Sequence, residues 1–125
     1  MPSVADVANN LTSLCRQGKF FEAVDQLYAD DIVSIEPVGS PQMPARQEGI
    51  EAIKGKNKWW AENHEIHEVR VDGPFVGDGE FAVRYYLAVT PKFSGQRTEM
   101  TEMALYTVKD GKISQEEFYY NAPGA

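Results

Sequence analysis

One cysteine and two histidines are all that this 125-residue chain holds of those residue types, and the shortage excludes a good deal. Cys15 alone cannot form an internal disulfide, and it rules out a zinc site built from several thiolates. It also sits beside Leu11 and Leu14 on the apolar side of its helix, with no histidine near in sequence, which reads as a buried, inert thiol. His64 and His67 stand three apart, but they fall where a helix gives way to a strand. The spacing no longer puts them on one face there, and no third ligand is at hand, so no metal is expected. No apolar run approaches the ~20 residues that a membrane helix needs. A basic face is missing too: the formal net charge is −7, the wrong sign for a phosphate backbone, so no nucleic-acid partner and no membrane partner is expected. Phosphate-cradling glycine loops, a serine elbow and a dinucleotide fingerprint are all lacking, and no cofactor is expected. The opening MPSVADVANN carries neither the basic residues nor the apolar stretch of a secretory signal, which makes the cytoplasm the expected location. No repeat or linker divides the chain, so residues 1–125 read as one domain.

What is present is a 42 % share of hydrophobic residues in two successive patterns. The first half has helical spacing. Ser3 with Asp6 forms a capping-box signature, followed by Val4, Val7, Ala8, Leu11, Leu14 and Cys15 on one side, with a stop near Gly18. Phe20, Phe21, Val24, Leu27 and Tyr28 make a second stripe, ended by Ala29-Asp30-Asp31. A third helix begins near Gly49, with Ile50, Ile53, Asn57 and Trp60 inward and Lys54, Lys56 and Lys58 on the wet side. From His67 the period falls to two. His67, Val69 and Val71 alternate with polar residues, Gly73-Pro74 and Gly77-Asp78-Gly79 mark turns, and Phe81–Val89 is rich in aromatic and branched residues. Arg97–Val108 and Ile113–Tyr120 complete a meander around the Asp110-Gly111 turn, whose two residues tolerate positive φ. Helices first and antiparallel strands second make an α+β class, with three N-terminal helices on a curved antiparallel sheet that closes a cone.

The organising stretch is Ile32–Pro44, IVSIEPVGSPQMP. A β-branched strand stops in a loop stiffened by Pro37, Pro41 and Pro44, with Glu36 at the junction. Being followed by proline, Glu36 is pushed to extended backbone, and it shares a strand face with Ile32 and Ser34. It is therefore either a pocket carboxylate or a solvated strand-end residue.

In order and spacing, Leu27-Tyr28-Ala29-Asp30-Asp31, Glu36-Pro37-Val38-Gly39-Ser40, Gly49 with Ile53, and Lys109-Asp110-Gly111-Lys112-Ile113 resemble the nuclear transport factor 2-like superfamily. That superfamily includes the SnoaL-like domains and the ketosteroid isomerases. The resemblance implies a cone-shaped fold with a deep apolar pocket, commonly in a homodimer formed through the sheet. Tyr119 and Tyr120 read equally as core or pocket wall and as interface aromatics of the outer sheet face. The resemblance also implies a base at Glu36, because the isomerases place a general-base aspartate directly before Pro-Val-Gly. Proton transfer beside a carbonyl needs such a carboxylate in an apolar pocket. The isomerases' two oxyanion donors fall at Leu11 and Ala104, and neither residue can donate a hydrogen bond.

If Ala104 faces the pocket, the two-residue period turns Met100, Glu102 and Tyr106 inward as well. A register one residue out would instead turn Glu99, Thr101 and Met103 inward. The expected catalytic set is Glu36 as base, Glu102 as acid and Tyr85 as hydrogen-bond donor. The expected pocket wall is Leu11, Trp60, Val83, Leu87, Met100, Ala104, Tyr106 and Phe118. The expected function is binding of a small apolar ligand, with cofactor-free acid–base isomerase, cyclase or related chemistry on a carbonyl or ring substrate. The alternative is a non-catalytic ligand-binding or dimeric interaction module.

Overall fold

The computed structural model describes residues 1–41 and 43–121. The elements run α1 (Val4–Arg16), α2 (Phe20–Leu27), β1 (Tyr28–Ile35), β2 (Arg46–Glu48), α3 (Ile50–Asn63), β3 (His64–Val76), β4 (Glu80–Pro91), β5 (Thr98–Lys109) and β6 (Lys112–Tyr119). The six strands form one sheet in the order β2-β1-β6-β5-β4-β3. β1 runs parallel to β6, while every other pair is antiparallel, so the sheet is mixed rather than purely antiparallel. The result is an α+β fold with the three helices against one face of the sheet.

Local chemistry explains the boundaries. The Ser3 hydroxyl accepts from the Asp6 backbone at 3.1 Å and the Asp6 carboxylate accepts from the Ser3 backbone at 3.1 Å, closing the capping box of α1. The buried side of α1 is Val7, Ala8, Leu11, Thr12 and Cys15, as its spacing predicts. Its apolar members Val7, Ala8, Leu11 and Cys15 join Val24, Ile32, Ile53, Phe81, Val83 and Ile113 in one core. At the other end of α1, Arg16 donates to the Val71 and Gly73 carbonyls at 3.0 and 2.8 Å, tying the helix to β3. The β5–β6 hairpin turns through Asp110 (φ 52°) and Gly111 (φ 75°), the positive pair that a two-residue turn demands.

Three expectations are corrected. Tyr28–Asp31 opens β1 instead of ending α2, because Tyr28 pairs with Ile113 of β6. Sheet pairing outweighs the helix-stop chemistry of Ala29-Asp30-Asp31 there. Gly73-Pro74 is not a turn: β3 runs on to Val76, and the register with β4 shifts between Asp72 and Phe75 to accommodate it. A short strand, β2, folds the proline loop back onto β1. The Glu36 backbone donates to Ala45 at 2.8 Å, and Gly49 donates to Ile32 at 2.8 Å. Gly39 is required in that loop, since a Cβ would stand 2.2 Å from the Ala45 nitrogen. Gln42, within the same loop, lies outside the described residues.

Candidate active site

The helices and the sheet enclose a cavity of about 600 Å³, within the range of pockets that hold a small organic ligand. Its apolar wall includes Leu11, Trp60, Leu87, Met100 and Phe118, and its polar groups are few and grouped. Two expected wall residues are not in it. Val83 and Ala104 pair across β4 and β5 and are 0 % and 1 % exposed. Tyr85 and Tyr106 flank that pair on the same face, and their hydroxyls meet at 2.7 Å, so the tyrosines close over it and leave it as core.

Strand register decides the acids. Tyr85 pairs with Glu102 and Leu87 with Met100, which turns Glu102 to the cavity. Glu99, Thr101 and Met103 turn outward, and Glu99 accepts from the Tyr86 hydroxyl at 2.6 Å. By surface area Glu102 is only half-buried, since its carboxyl faces cavity space instead of packed atoms. Even so, loss of bulk hydration drives its pKa up to about 7. The negative charge of Glu36 adds to that push, and Lys56 partly opposes it. Among the described residues its side chain makes no hydrogen bond.

Glu36 lines the same cavity from the end of β1. Its carboxylate meets the Lys56 ammonium at 3.0 Å, with side chains 22 % and 13 % exposed. Lys56 also donates to Ser34 Oγ at 2.7 Å and lies 5.3 Å over the Phe118 ring. Ser34 donates in turn to Glu116 Oε2 at 3.0 Å, and Tyr28 donates to Glu116 Oε1. The continuous path is thus Glu36–Lys56–Ser34–Glu116–Tyr28, from cavity to core. Burial raises the Glu116 pKa, against the pull of Lys56 and of the bonds from Tyr28 and Ser34. Cys15 lines the cavity too, with its sulfur 3.8 Å from the Tyr85 hydroxyl and its thiol pushed up to about 11 by burial, so it stays protonated.

Four members of this cluster escaped the sequence reading. Lys56 is not on the wet side of α3. It lies three residues after Ile53 and four before Trp60, which is the inward face, and only Lys54 and Lys58 pair at the surface, with Asp25 and Glu62. Glu116 lies two residues before Phe118 on a strand, so the inward placing of Phe118 already implied it. The same period carries Tyr120 to the cavity instead of the outer face, where burial and then the charge of Glu36 raise its phenol pKa. Ser34 was grouped with Glu36 but given no role. His64 stacks on Trp60 at 4.3 Å, and His67 bonds Thr90 Oγ1 at 2.7 Å; among the described residues no cluster of three metal-ligating side chains forms.

Comparison with known proteins agrees with this architecture. A family model described as SnoaL-like domain matches residues 3–120. A solved structure from Mesorhizobium loti is described as a candidate SnoaL-like polyketide cyclase, with carbohydrate phosphatase as a further description. It is 44 % identical, with a TM-score of 0.90 over 95 % of this chain and 100 % of that one. A Xanthomonas campestris protein of unknown function with a cystatin-like fold is 15 % identical, with a TM-score of 0.78 over 97 % of this chain and 92 % of that one. A candidate polyketide cyclase from Pseudomonas putida is 16 % identical, with a TM-score of 0.74 over 98 % and 95 %. These last two show likeness of fold alone. No curated protein matches. A family match over nearly the whole chain, joined to a relative of 44 % identity, shows that the chain belongs to the SnoaL-like domain family.

Proposed function

We propose that the cavity carries out cofactor-free proton transfer beside a carbonyl, closing or isomerising a ring in an apolar substrate. The observation that carries this reading is the unequal pair of carboxyls in one apolar cavity. Glu36 is held against a cation, whereas Glu102 is unbonded with a pKa near 7. Two carboxyls in environments that differ in this way suit a base and an acid.

Glu36 takes the proton from the carbon next to the carbonyl, and the bonding pair moves toward the carbonyl oxygen. In an isomerisation the proton returns at another carbon. In a ring closure the carbanion attacks a second carbonyl, and Glu102 protonates the resulting alkoxide. The Tyr85–Tyr106 hydroxyl pair offers a donor at the cavity floor. The name of the Mesorhizobium loti relative, a candidate polyketide cyclase, supports a substrate with several carbonyls. Its other description, carbohydrate phosphatase, fits the lining less well, since Lys56 is the one cation lining the cavity and is already paired with Glu36.

The test is proton exchange. A panel of cyclic ketones and diketones is incubated with the protein in D₂O, and deuterium beside the carbonyl is read by NMR. Wild type exchanges at least one of them above buffer rate, and Glu36→Gln falls to background. Equal ligand binding by both with no exchange by wild type would instead support a binding module. That second reading draws on Leu11 and Ala104, which supply no donor where the isomerases have theirs.

A further inference from the structure

Lys56 is the one cation among the residues lining the cavity, and its position addresses the missing oxyanion donors. We infer that the Lys56 ammonium is the oxyanion-holding group of this site, released to the substrate oxygen when Glu36 is neutralised by the proton it accepts. This rests on the proton-transfer reading above.

The argument is one of charge. Before reaction, Lys56 has two partners, Glu36 Oε1 at 3.0 Å and Ser34 Oγ at 2.7 Å. The first is an ion pair and the second a charge-assisted bond to a neutral hydroxyl. When Glu36 takes a proton, the C–H bond breaks, an O–H bond forms on the carboxyl, and the electron pair moves to the carbonyl oxygen. The negative charge thus leaves Glu36 and appears on the substrate. A half-buried ammonium follows it, because an uncompensated charge in this cavity is costly. Ser34 keeps its bond throughout and acts as the pivot, held in turn by Glu116. The number of charges in the cavity does not change during the step, so the site avoids creating an unpaired enolate. The neutral hydroxyls of Tyr85 and Tyr106 stand at the cavity floor, and the pairing of Lys56 with the base adds a charged donor beside Glu36.

The inference is tested with two rigid probes of the same shape, 2-naphthoate as a permanent oxyanion and 2-acetonaphthone as its neutral counterpart. Binding is followed by quenching of tryptophan fluorescence, below the Glu102 midpoint of about 7. Glu36→Gln mimics the protonated base. It binds 2-naphthoate about tenfold more tightly than wild type does, a gain of about 1.4 kcal/mol. The gain disappears in the double variant Glu36→Gln with Lys56→Met, which leaves no orphaned charge to unfold the protein, and 2-acetonaphthone binding changes little across the set. In the exchange assay Lys56→Met slows turnover and Lys56→Arg restores part of it. Equal 2-naphthoate affinity in the single and double variants overturns the inference, even if Glu36-dependent exchange is found. Absence of exchange in wild type overturns the proton-transfer reading instead, and leaves Lys56 standing only as an anion anchor.

Discussion

Ser34 donates its hydroxyl hydrogen to Glu116 Oε2 across 3.0 Å, with both side chains inside the core. The bond joins β1 to its parallel neighbour β6 and supports the lysine above it. Ser34→Ala removes the donor but leaves the carboxyl buried, so stability falls by about 1–3 kcal/mol. Urea denaturation checks this, and a loss under about 0.5 kcal/mol would show that the bond contributes little.

The three lysines of α3 offer a contrast on one helix. Lys58 meets Glu62 at 3.9 Å with both side chains exposed, and Lys58→Ala changes stability by under about 0.5 kcal/mol. Lys56→Ala leaves Glu36 without its cation in a largely enclosed site and costs about 2–4 kcal/mol. Thermal melts of the two variants side by side separate them, and similar shifts would place Lys56 among ordinary surface charges.

Glu102 ties stability to pH. Its folded pKa is raised from 4.5 to about 7, so the folded state holds this proton more tightly than the unfolded chain does. The contribution is fully present below about 4.5, declines as pH rises, and is gone above about 7. Glu102→Gln cannot ionise. It loses that slope and is more stable than wild type above pH 7 by on the order of 3 kcal/mol. Urea titrations at pH 5 and pH 8 give the difference, and parallel curves for the two proteins would show that Glu102 ionises normally. By the same ionisation, a turnover step that needs the protonated acid declines as pH rises through about 7.

The outer face of the sheet exposes Met103 (40 %) and Tyr119 (49 %), which pair across β5 and β6. We propose this face as the contact between two copies of the chain. Sedimentation then gives twice the 14.0 kDa mass, and Met103→Glu returns it to 14.0 kDa. A wild-type mass of 14.0 kDa at every concentration tested removes the dimer.

Much of this molecule was legible because single periodicities decided it. The stripe of α1, the Asp110-Gly111 turn and the face shared by Ile32, Ser34 and Glu36 each follow from local spacing alone. Glu102 needed one further fact, the register of β5 on β4, which no local pattern supplies. Lys56 is hidden for a different reason. Its charge points to exposure, although its helical position lies between Ile53 and Trp60. A long side chain can follow an apolar helix face and bring its ammonium to a buried partner, and that partner comes from another element. The inward side of Glu116 follows from Phe118, but its partners are hidden in the same way. Its donors Tyr28 and Ser34 lie on β1, and a parallel pairing between chain segments so far apart leaves no trace in either one.

The parallel joining of β1 to β6 also bears on how such a site can change over generations. The base and its cation, Glu36 and Lys56, lie within twenty residues of each other and share one stretch of chain. The acid Glu102, the Tyr85–Tyr106 pair and the anchor Glu116 all come after Asn63, where α3 hands over to β3. A recombination crossover at that junction would exchange the acid and the floor while keeping the base with its cation. The two halves meet along the β1–β6 pairing and in the shared core, and in the polar network they meet at Glu116, which takes bonds from Ser34 and Tyr28, so those contacts bear on which donor halves a crossover could accept.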